Sequence, residues 1–143
     1  MSVKVSQVCE FECCYLIDKT LNAHRYKFEV TVECNQRSAD NGYVIDFATL
    51  LDYMNWVVPK NTFLFDTTTN NIGRDVAFVM GQRGVSIQGV SFTLCAEGIC
   101  SSISKALQDI LDFREPGVTI VSARLRENNT SFVSWQPEHD DSL

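Results

Sequence analysis

The chain has 143 residues, of which 45% are hydrophobic and 21% are charged, and its net charge is −6 at pH 7. This length and composition fit one ordinary globular domain and exclude a disordered, low-complexity chain. The negative charge creates no broad positive field, so we expect neither nucleic acid nor an anionic membrane surface as a partner. With no signal-like segment at the start and no run near the ~20 apolar residues that span a bilayer, we expect a soluble, cytoplasmic protein with reduced cysteines.

The first two predicted elements are strands. Residues 3–17 alternate loosely between apolar and polar side chains, and residues 26–34 alternate without a break. The segment between them, residues 18–23, is rich in turn-forming residues, so the strands are predicted to pair as an antiparallel hairpin. A long first strand at the edge of a sheet often pairs with a neighbouring subunit, which favours a homo-oligomer.

Helices follow the hairpin. Asp46 is placed to cap a short amphipathic helix, and a second helical pattern starts after Asn71. The remaining predicted elements are an extended segment over 85–94, a long helix over 96–113, and a closing hairpin over 118–126 and 131–135. This order predicts an α+β domain over residues 1–135, with an antiparallel sheet covered on one face by helices, and a polar tail over 136–143.

Four stretches then point to a known family: Phe11-Glu12-Cys13-Cys14-Tyr15, Asn22-Ala23-His24-Arg25-Tyr26, Gly42-Tyr43-Val44-Ile45-Asp46-Phe47 and Cys95-Ala96-Glu97-Gly98-Ile99. In this order they resemble Phe-x-Ala-Ala-His, His-Gly-His-Asn-Tyr, Gly-Met-Val-x-Asp-Phe and Thr-x-Glu-Asn-Ile of the 6-pyruvoyl-tetrahydropterin synthase and 6-carboxy-tetrahydropterin synthase family. The resemblance covers nearly the whole chain and implies the tunnelling fold, or T-fold. It also implies a hexamer of two stacked trimers, with a pocket at each subunit boundary.

The family's zinc site is the clearest departure. The resemblance implies three histidine ligands, and the matching positions here hold Tyr15, Asn22 and His24. A phenol and a carboxamide are poor substitutes for neutral imidazole on zinc. The only other histidine, His139, lies in the polar tail, so one chain cannot supply three histidines. We therefore expect neither a bound metal nor any other cofactor.

The family's catalytic groups also lack counterparts. Its cysteine falls at Asp18 and its Asp-His pair falls at Lys60-Asn61. Without the Lewis acid that polarises the substrate, the same reaction is not expected, and no residue is assigned a catalytic role. The alternative is a zinc-independent enzyme that modifies a pterin, with Asp18 as its base.

The ring-binding half of the family's pocket has better matches. Glu127 stands where the family keeps a glutamate that anchors the pterin ring, and Glu97 and Cys95 stand where its Thr-x-Glu motif adds contacts. A carboxylate can accept two N–H donors from a 2-amino-4-oxo pyrimidine edge. Pterins, guanine and 7-deazaguanines share this edge. The resemblance thus implies a non-catalytic protein that binds a pterin- or purine-like molecule between subunits.

Simpler interpretations remain open for each of these residues. Glu127 beside Asn128-Asn129 also fits a solvated hairpin turn, and Glu97 also fits a carboxylate that opposes a helix macrodipole. His24 also fits a polar residue at a strand start. On these interpretations the protein is a structural or regulatory oligomer with a vestigial pocket.

Overall fold

The structure, a computed structural model, describes residues 3–34, 44–68 and 71–138. Its elements in chain order are β1 (Lys4–Ile17), β2 (Thr20–Cys34), α1 (Phe47–Val57), β3 (Thr62–Asp66), α2 (Ile72–Gln82), β4 (Ser86–Val90), α3 (Ala96–Arg114), β5 (Val118–Arg126) and β6 (Phe132–Trp135). The predicted α+β class is confirmed. Gly42, Tyr43 and His139 lie outside the described residues. None of the described helices combines the length and the apolar character needed to cross a bilayer.

The first hairpin is tighter than predicted. Ile17 pairs with Thr20, so the turn consists of Asp18 and Lys19 alone, and β2 begins at Thr20 rather than near Tyr26. Asp18 has a φ of 54°, a left-handed conformation that Asp tolerates better than most residues. The prediction of a turn over 18–23 was therefore wrong after residue 19, and His24 lies inside a strand.

The six strands form one sheet in the order β4-β3-β1-β2-β5-β6. The pairings β1–β2, β2–β5 and β5–β6 are antiparallel, as expected. In contrast, β1–β3 and β3–β4 are parallel, so the sheet is mixed. The parallel pair arises because α2 returns the chain across the sheet between β3 and β4, as a crossover connection does.

Helices occupy both faces of the sheet, rather than one as predicted. The main core lies between α1, α3 and the sheet face that carries Phe11, Tyr26 and Phe28. By contrast, α2 packs on the opposite face, where a Cβ built on Gly73 would lie 4.0 Å from Leu16 and one on Gly81 would lie 2.9 Å from Ile87. Leu16 alternates with the core residue Tyr15, so its side chain points away from the main core.

The first strand is an edge strand along only part of its length. β3 pairs with Cys13–Tyr15, while the amide of Asn61 donates to the carbonyl of Glu12 at 2.7 Å. Among the described residues no strand pairs with the outer side of residues 4–11. The amide of Val8 there donates instead to the side chain of Gln7 at 2.9 Å.

Candidate functional site

The β1–β2 register brings the three positions of the family's zinc set together. Tyr15 pairs directly with Asn22, and His24 pairs with Cys13. Since alternate residues of a strand share a face, Tyr15, Asn22 and His24 all lie on the face of the sheet that carries the core. The three positions to which the resemblance assigns zinc ligands are therefore neighbours on one face, and only His24 among them is a histidine.

A buried pair of tyrosines occupies the centre of this arrangement. The Tyr15 and Tyr26 hydroxyl oxygens are 3.2 Å apart, and the two residues are 3% and 1% exposed. Burial raises the pKa of both phenols above the ordinary range. Both side chains are therefore neutral at physiological pH, whereas binding of a metal ion by tyrosine requires the phenolate.

The residues at this position do not fit the family's zinc ion. One imidazole, a neutral phenol and a carboxamide cannot provide the three strong ligands of a catalytic zinc site. Within residues 3–34, 44–68 and 71–138, no group of three His, Cys, Asp or Glu side chains is placed to hold a metal ion.

Glu127 makes a direct contact with His24. The His24 Nδ1 atom lies 2.9 Å from Glu127 Oε1, and the two side chains are 30% and 32% exposed. The contact forms because β2 and β5 are neighbours and Lys27 pairs with Arg126, next to Glu127. The backbone amide of Glu127 also donates to the carbonyl of Ser131 at 3.0 Å. Glu127 is thus held in place at the sheet margin rather than freely solvated in a turn.

Cys95 and Glu97 lie at the start of α3. Cys95 is the N-cap residue, and its Sγ accepts a hydrogen bond from the Gly98 amide at 3.4 Å. The Glu97 carboxyl is exposed, and its pKa is lowered by its own backbone amide and by the Cys95 side chain. The helix macrodipole that was expected to favour this carboxylate acts at the same place.

Several neighbours affect the pKa of Tyr15. Burial is the largest cause of its raised pKa, the hydrogen bond to Tyr26 lowers the pKa, and Cys13, Glu127 and Cys95 raise it. Glu127 contacts His24 at the margin of β5, whereas Cys95 and Glu97 lie together at the start of α3. The sequence offered no signal for the His24–Glu127 contact, because it depends on the pairing of β2 with β5.

The positions that the resemblance gives to the family's catalytic groups lie in two separate turns. Asp18 lines a cavity of about 510 Å³ together with Lys19, Asp66 and Thr93, at the hairpin end of the sheet. Lys60 and Asn61 form the turn before β3, and Asn61 has a φ of 49°. The amide of Asn61 anchors that turn to β1, which is a structural role.

Fold and site together define a T-fold protein in which Tyr15 and Asn22 stand at two of the three positions where the resemblance implies zinc-binding histidines. The family model described as 6-pyruvoyl tetrahydropterin synthase matches residues 18–138. The chain therefore belongs to the 6-pyruvoyl tetrahydropterin synthase family, as the resemblance implied. A comparison with curated proteins finds no match.

Solved structures support the same fold. An uncharacterized protein from Wolinella succinogenes is 16% identical with a TM-score of 0.75, over 96% of this chain and 99% of that one. The 6-pyruvoyl tetrahydropterin synthase of Plasmodium falciparum is 17% identical with a TM-score of 0.67, over 95% and 98% of the two chains. That of Plasmodium vivax is 14% identical with a TM-score of 0.66, over 96% and 99%. At these identities the likeness concerns the fold alone.

Proposed function

We propose that this protein is a non-catalytic member of its family that binds a pterin- or purine-like molecule through Glu127, at the subunit boundaries of a homo-oligomer. The observation that carries the proposal is the 2.9 Å contact between His24 Nδ1 and Glu127 Oε1. It fixes a partly exposed carboxylate at the position that the family resemblance gives to the ring anchor.

The His24 contact leaves the carboxylate able to bind a ligand. An ionised carboxyl group offers about four lone-pair positions on its two oxygens, of which His24 uses one. A 2-amino-4-oxo pyrimidine edge presents two adjacent N–H donors that a carboxylate can accept together. Because 32% of the Glu127 side chain remains exposed, such an edge can reach it from solvent.

The chemistry around Glu127 favours a ligand that donates hydrogen bonds. The lowered pKa of Glu97 keeps that second carboxyl ionised at neutral pH. Cys95 is the N-cap of α3, two residues before Glu97, and its side chain is partly accessible. Glu97 and Cys95 are the two further contacts we propose for the ring and its substituents.

The non-catalytic assignment depends on the side chains themselves. Neutral Tyr15 and Asn22 replace two histidines, and Lys60-Asn61 replaces the family's Asp-His pair. No described side chain takes over the Lewis-acid role that polarises the substrate in the family reaction. Open sheet edges at residues 4–11 of β1 and at β6 provide surfaces through which subunits can pair.

The test is a thermal-shift and calorimetric titration with neopterin, guanine and a 7-deazaguanine, because a ligand that binds the native state raises the unfolding temperature. We compare the unmodified protein with Glu127→Gln and with the matched control Glu33→Gln, at the far end of β2. Loss of one charge-assisted contact is worth roughly 1.5–3 kcal/mol, so Glu127→Gln should weaken binding about tenfold or more. The control should bind normally.

Other outcomes of this test would support one of the two alternative functions. A stable oligomer that binds none of the three probes would contradict the proposal and favour a structural or regulatory role. Turnover of a pterin that persists with chelator and disappears in Asp18→Asn would instead identify a zinc-independent enzyme. Equal binding by Glu127→Gln and the unmodified protein would refute Glu127 as the anchor.

A further inference from the structure

Two arginines of β5 lie on the face of the sheet that is opposite the main core. Arg124 and Arg126 flank the core residue Leu125, so their side chains project from the other face. Helix α2 packs on that face against β1, β3 and β4, which lie beyond β2 from these arginines. The Glu127 side chain, by contrast, reaches His24 on the core face. The two arginines are therefore separate from the site around Glu127, and both are partly exposed to solvent.

Both guanidinium groups lie against the ring of Phe132. The Cζ atom of Arg124 is 4.5 Å from the centroid of this ring, and that of Arg126 is 5.2 Å from it. Phe132 is the β6 neighbour of Arg126, and it is 49% exposed. A cation–π contact leaves a guanidinium with hydrogen bonds to offer, because the group carries five N–H donors. The ring thus holds two positively charged groups beside each other with donors still available.

Neither guanidinium forms an ion pair with a carboxylate of the described residues. The ion pairs in that part of the chain have His24, Arg25 and Lys27 as their cations, at distances up to 4.0 Å. Glu29 is the direct cross-strand neighbour of Arg124, yet no such pair joins them. Like charges held near each other repel, and an anion between them removes that cost. The arginine pair therefore favours a bound anion.

The pair suits a phosphate group better than a carboxylate. Each guanidinium presents a planar fork of donors that can bind two oxygens at once. A carboxylate has two oxygens and satisfies one fork, whereas a phosphate monoester has three terminal oxygens and nearly two negative charges, enough for both forks. Ser134 is the β6 neighbour of Arg124 and is exposed, so its hydroxyl group is on the same face.

The charges around the pair favour a small ligand over a nucleic acid. Glu29 lies next to Arg124, and the chain as a whole carries a net charge of −6. A long polyanion needs several cations along its path and is repelled by a negative protein. One phosphate group needs only the two arginines.

We propose that Arg124 and Arg126, held against Phe132, bind a dianionic phosphate group, either as the free ion or as the monoester of a small molecule. The site lies on the face of the sheet opposite Glu127. The proposal goes beyond the proposed function and does not depend on it, so Glu127→Gln should not weaken phosphate binding.

The test is a calorimetric titration of the full chain with phenyl phosphate, inorganic phosphate and acetate. The ionic strength is held constant because salt screens exposed charges. At about pH 7.5 a phosphate monoester carries close to two negative charges. Both phosphates should bind more tightly than acetate. Tighter binding of phenyl phosphate than of inorganic phosphate would identify an organic monoester as the ligand, and the reverse order would identify the free ion.

Three arginine variants and one glutamate variant locate the site. Arg124→Gln and Arg126→Gln should each weaken phosphate binding about tenfold, because each removes a charge-assisted contact. Arg114→Gln is the matched control, since Arg114 also lies over an aromatic ring, that of Trp56, at 5.1 Å. It should bind phosphate normally. Glu29→Gln should strengthen binding, because it removes a negative charge beside the phosphate.

The gain in Glu29→Gln keeps the test informative if an arginine variant fails to fold, because misfolding does not produce tighter binding. Four results would each overturn the proposal: no saturable binding of either phosphate, equal affinity for acetate, normal binding by both Arg124→Gln and Arg126→Gln, or an equal loss in Arg114→Gln. Weaker binding by Glu29→Gln would overturn it as well.

Discussion

The hydroxyl oxygen of Tyr15 lies 3.2 Å from that of Tyr26. Tyr15 stands where the family resemblance implies a zinc-binding histidine, and Tyr26 belongs to the neighbouring strand. The two hydroxyl groups form a hydrogen bond with each other in the buried core. An unpaired hydroxyl group there would cost free energy. A hydrogen-bonded pair of tyrosines thus occupies the position to which the resemblance assigns a metal ligand.

This pair should contribute to stability as a unit. Tyr15→Phe or Tyr26→Phe alone should lower the free energy of unfolding by roughly 1–3 kcal/mol, because each leaves one buried hydroxyl unpaired. The double variant should lose less than the sum of the two. Urea unfolding of the four proteins gives the coupling free energy. Strict additivity would show that the two hydroxyl groups do not depend on each other.

Restoring two histidines should rebuild a zinc site. Tyr15 and Asn22 are direct cross-strand partners and His24 shares their face, so Tyr15→His with Asn22→His places three imidazoles together. We expect about one zinc ion per chain in the double variant and none in either single variant or the unmodified protein, by elemental analysis after dialysis. Stoichiometric zinc in the unmodified protein would contradict the assignment of this site.

Glu127 should support that rebuilt site. It binds Nδ1 of His24, which leaves the other ring nitrogen to bind zinc, and such partners of a metal ligand typically affect affinity about 10–100-fold. Adding Glu127→Gln to the double variant should therefore weaken zinc binding by about that factor. Competition with a chromophoric chelator measures it, with Glu33→Gln as the control.

The cysteines should differ sharply in reactivity. Burial raises the pKa of Cys9 to about 11 and that of Cys13 to about 12, whereas Cys34 and Cys95 are half-exposed. Iodoacetamide at pH 8 should therefore modify Cys34 and Cys95 long before Cys9 and Cys13, as peptide mass spectrometry would show. Equal modification rates of the four cysteines in urea would confirm that the fold causes the difference. Equal modification rates in the native protein would refute the prediction.

The same burial makes the protein sensitive to alkali. Well below pH 9 these thiols are protonated in both states, so they cause no pH dependence there. As the pH rises from about 9 towards 12, the unfolded chain loses thiol protons before the folded one, and the free energy of unfolding falls. Cys13→Ala should show a shallower decline in urea unfolding between these pH values. If the free energy of unfolding of Cys13→Ala fell with pH as steeply as that of the unmodified protein, Cys13 would not be a cause of the decline.

Gly98, at the start of α3, and Gly81, near the end of α2, allow a matched comparison of two glycine-to-alanine substitutions. A Cβ on Gly98 would collide with the backbone carbonyl of Thr93 and with the Phe92 ring, whereas one on Gly81 would meet only the end of the Ile87 side chain. Gly98→Ala should therefore lower the free energy of unfolding by roughly 1–3 kcal/mol. Gly81→Ala should cost little or should stabilise, because alanine favours a helix by about 1 kcal/mol over glycine. Similar losses in both would argue against the backbone collision.

Much of the local structure was predictable from particular residues. The alternation over 26–34 marks β2, and Asp46 and Asn71 cap α1 and α2 through their side chains. β3 was missed because Thr62-Phe63-Leu64-Phe65 is apolar without alternation, which suits a strand buried on both faces but has no distinctive period. The side of the sheet that α2 covers was also missed, because an apolar stripe shows that a helix packs but not on which face.

The sequence by itself determined most of the strand and helix pattern apart from β3, the family's motifs and the lack of three histidines, because these follow from residue order and composition. Only the tertiary structure decided that Glu127 contacts His24, that Tyr15 pairs with Tyr26, and that Arg124 and Arg126 lie against Phe132. Each of these is set by which strands become neighbours and in which register. Those choices arise from the packing of the whole sheet, which no local pattern of side chains specifies.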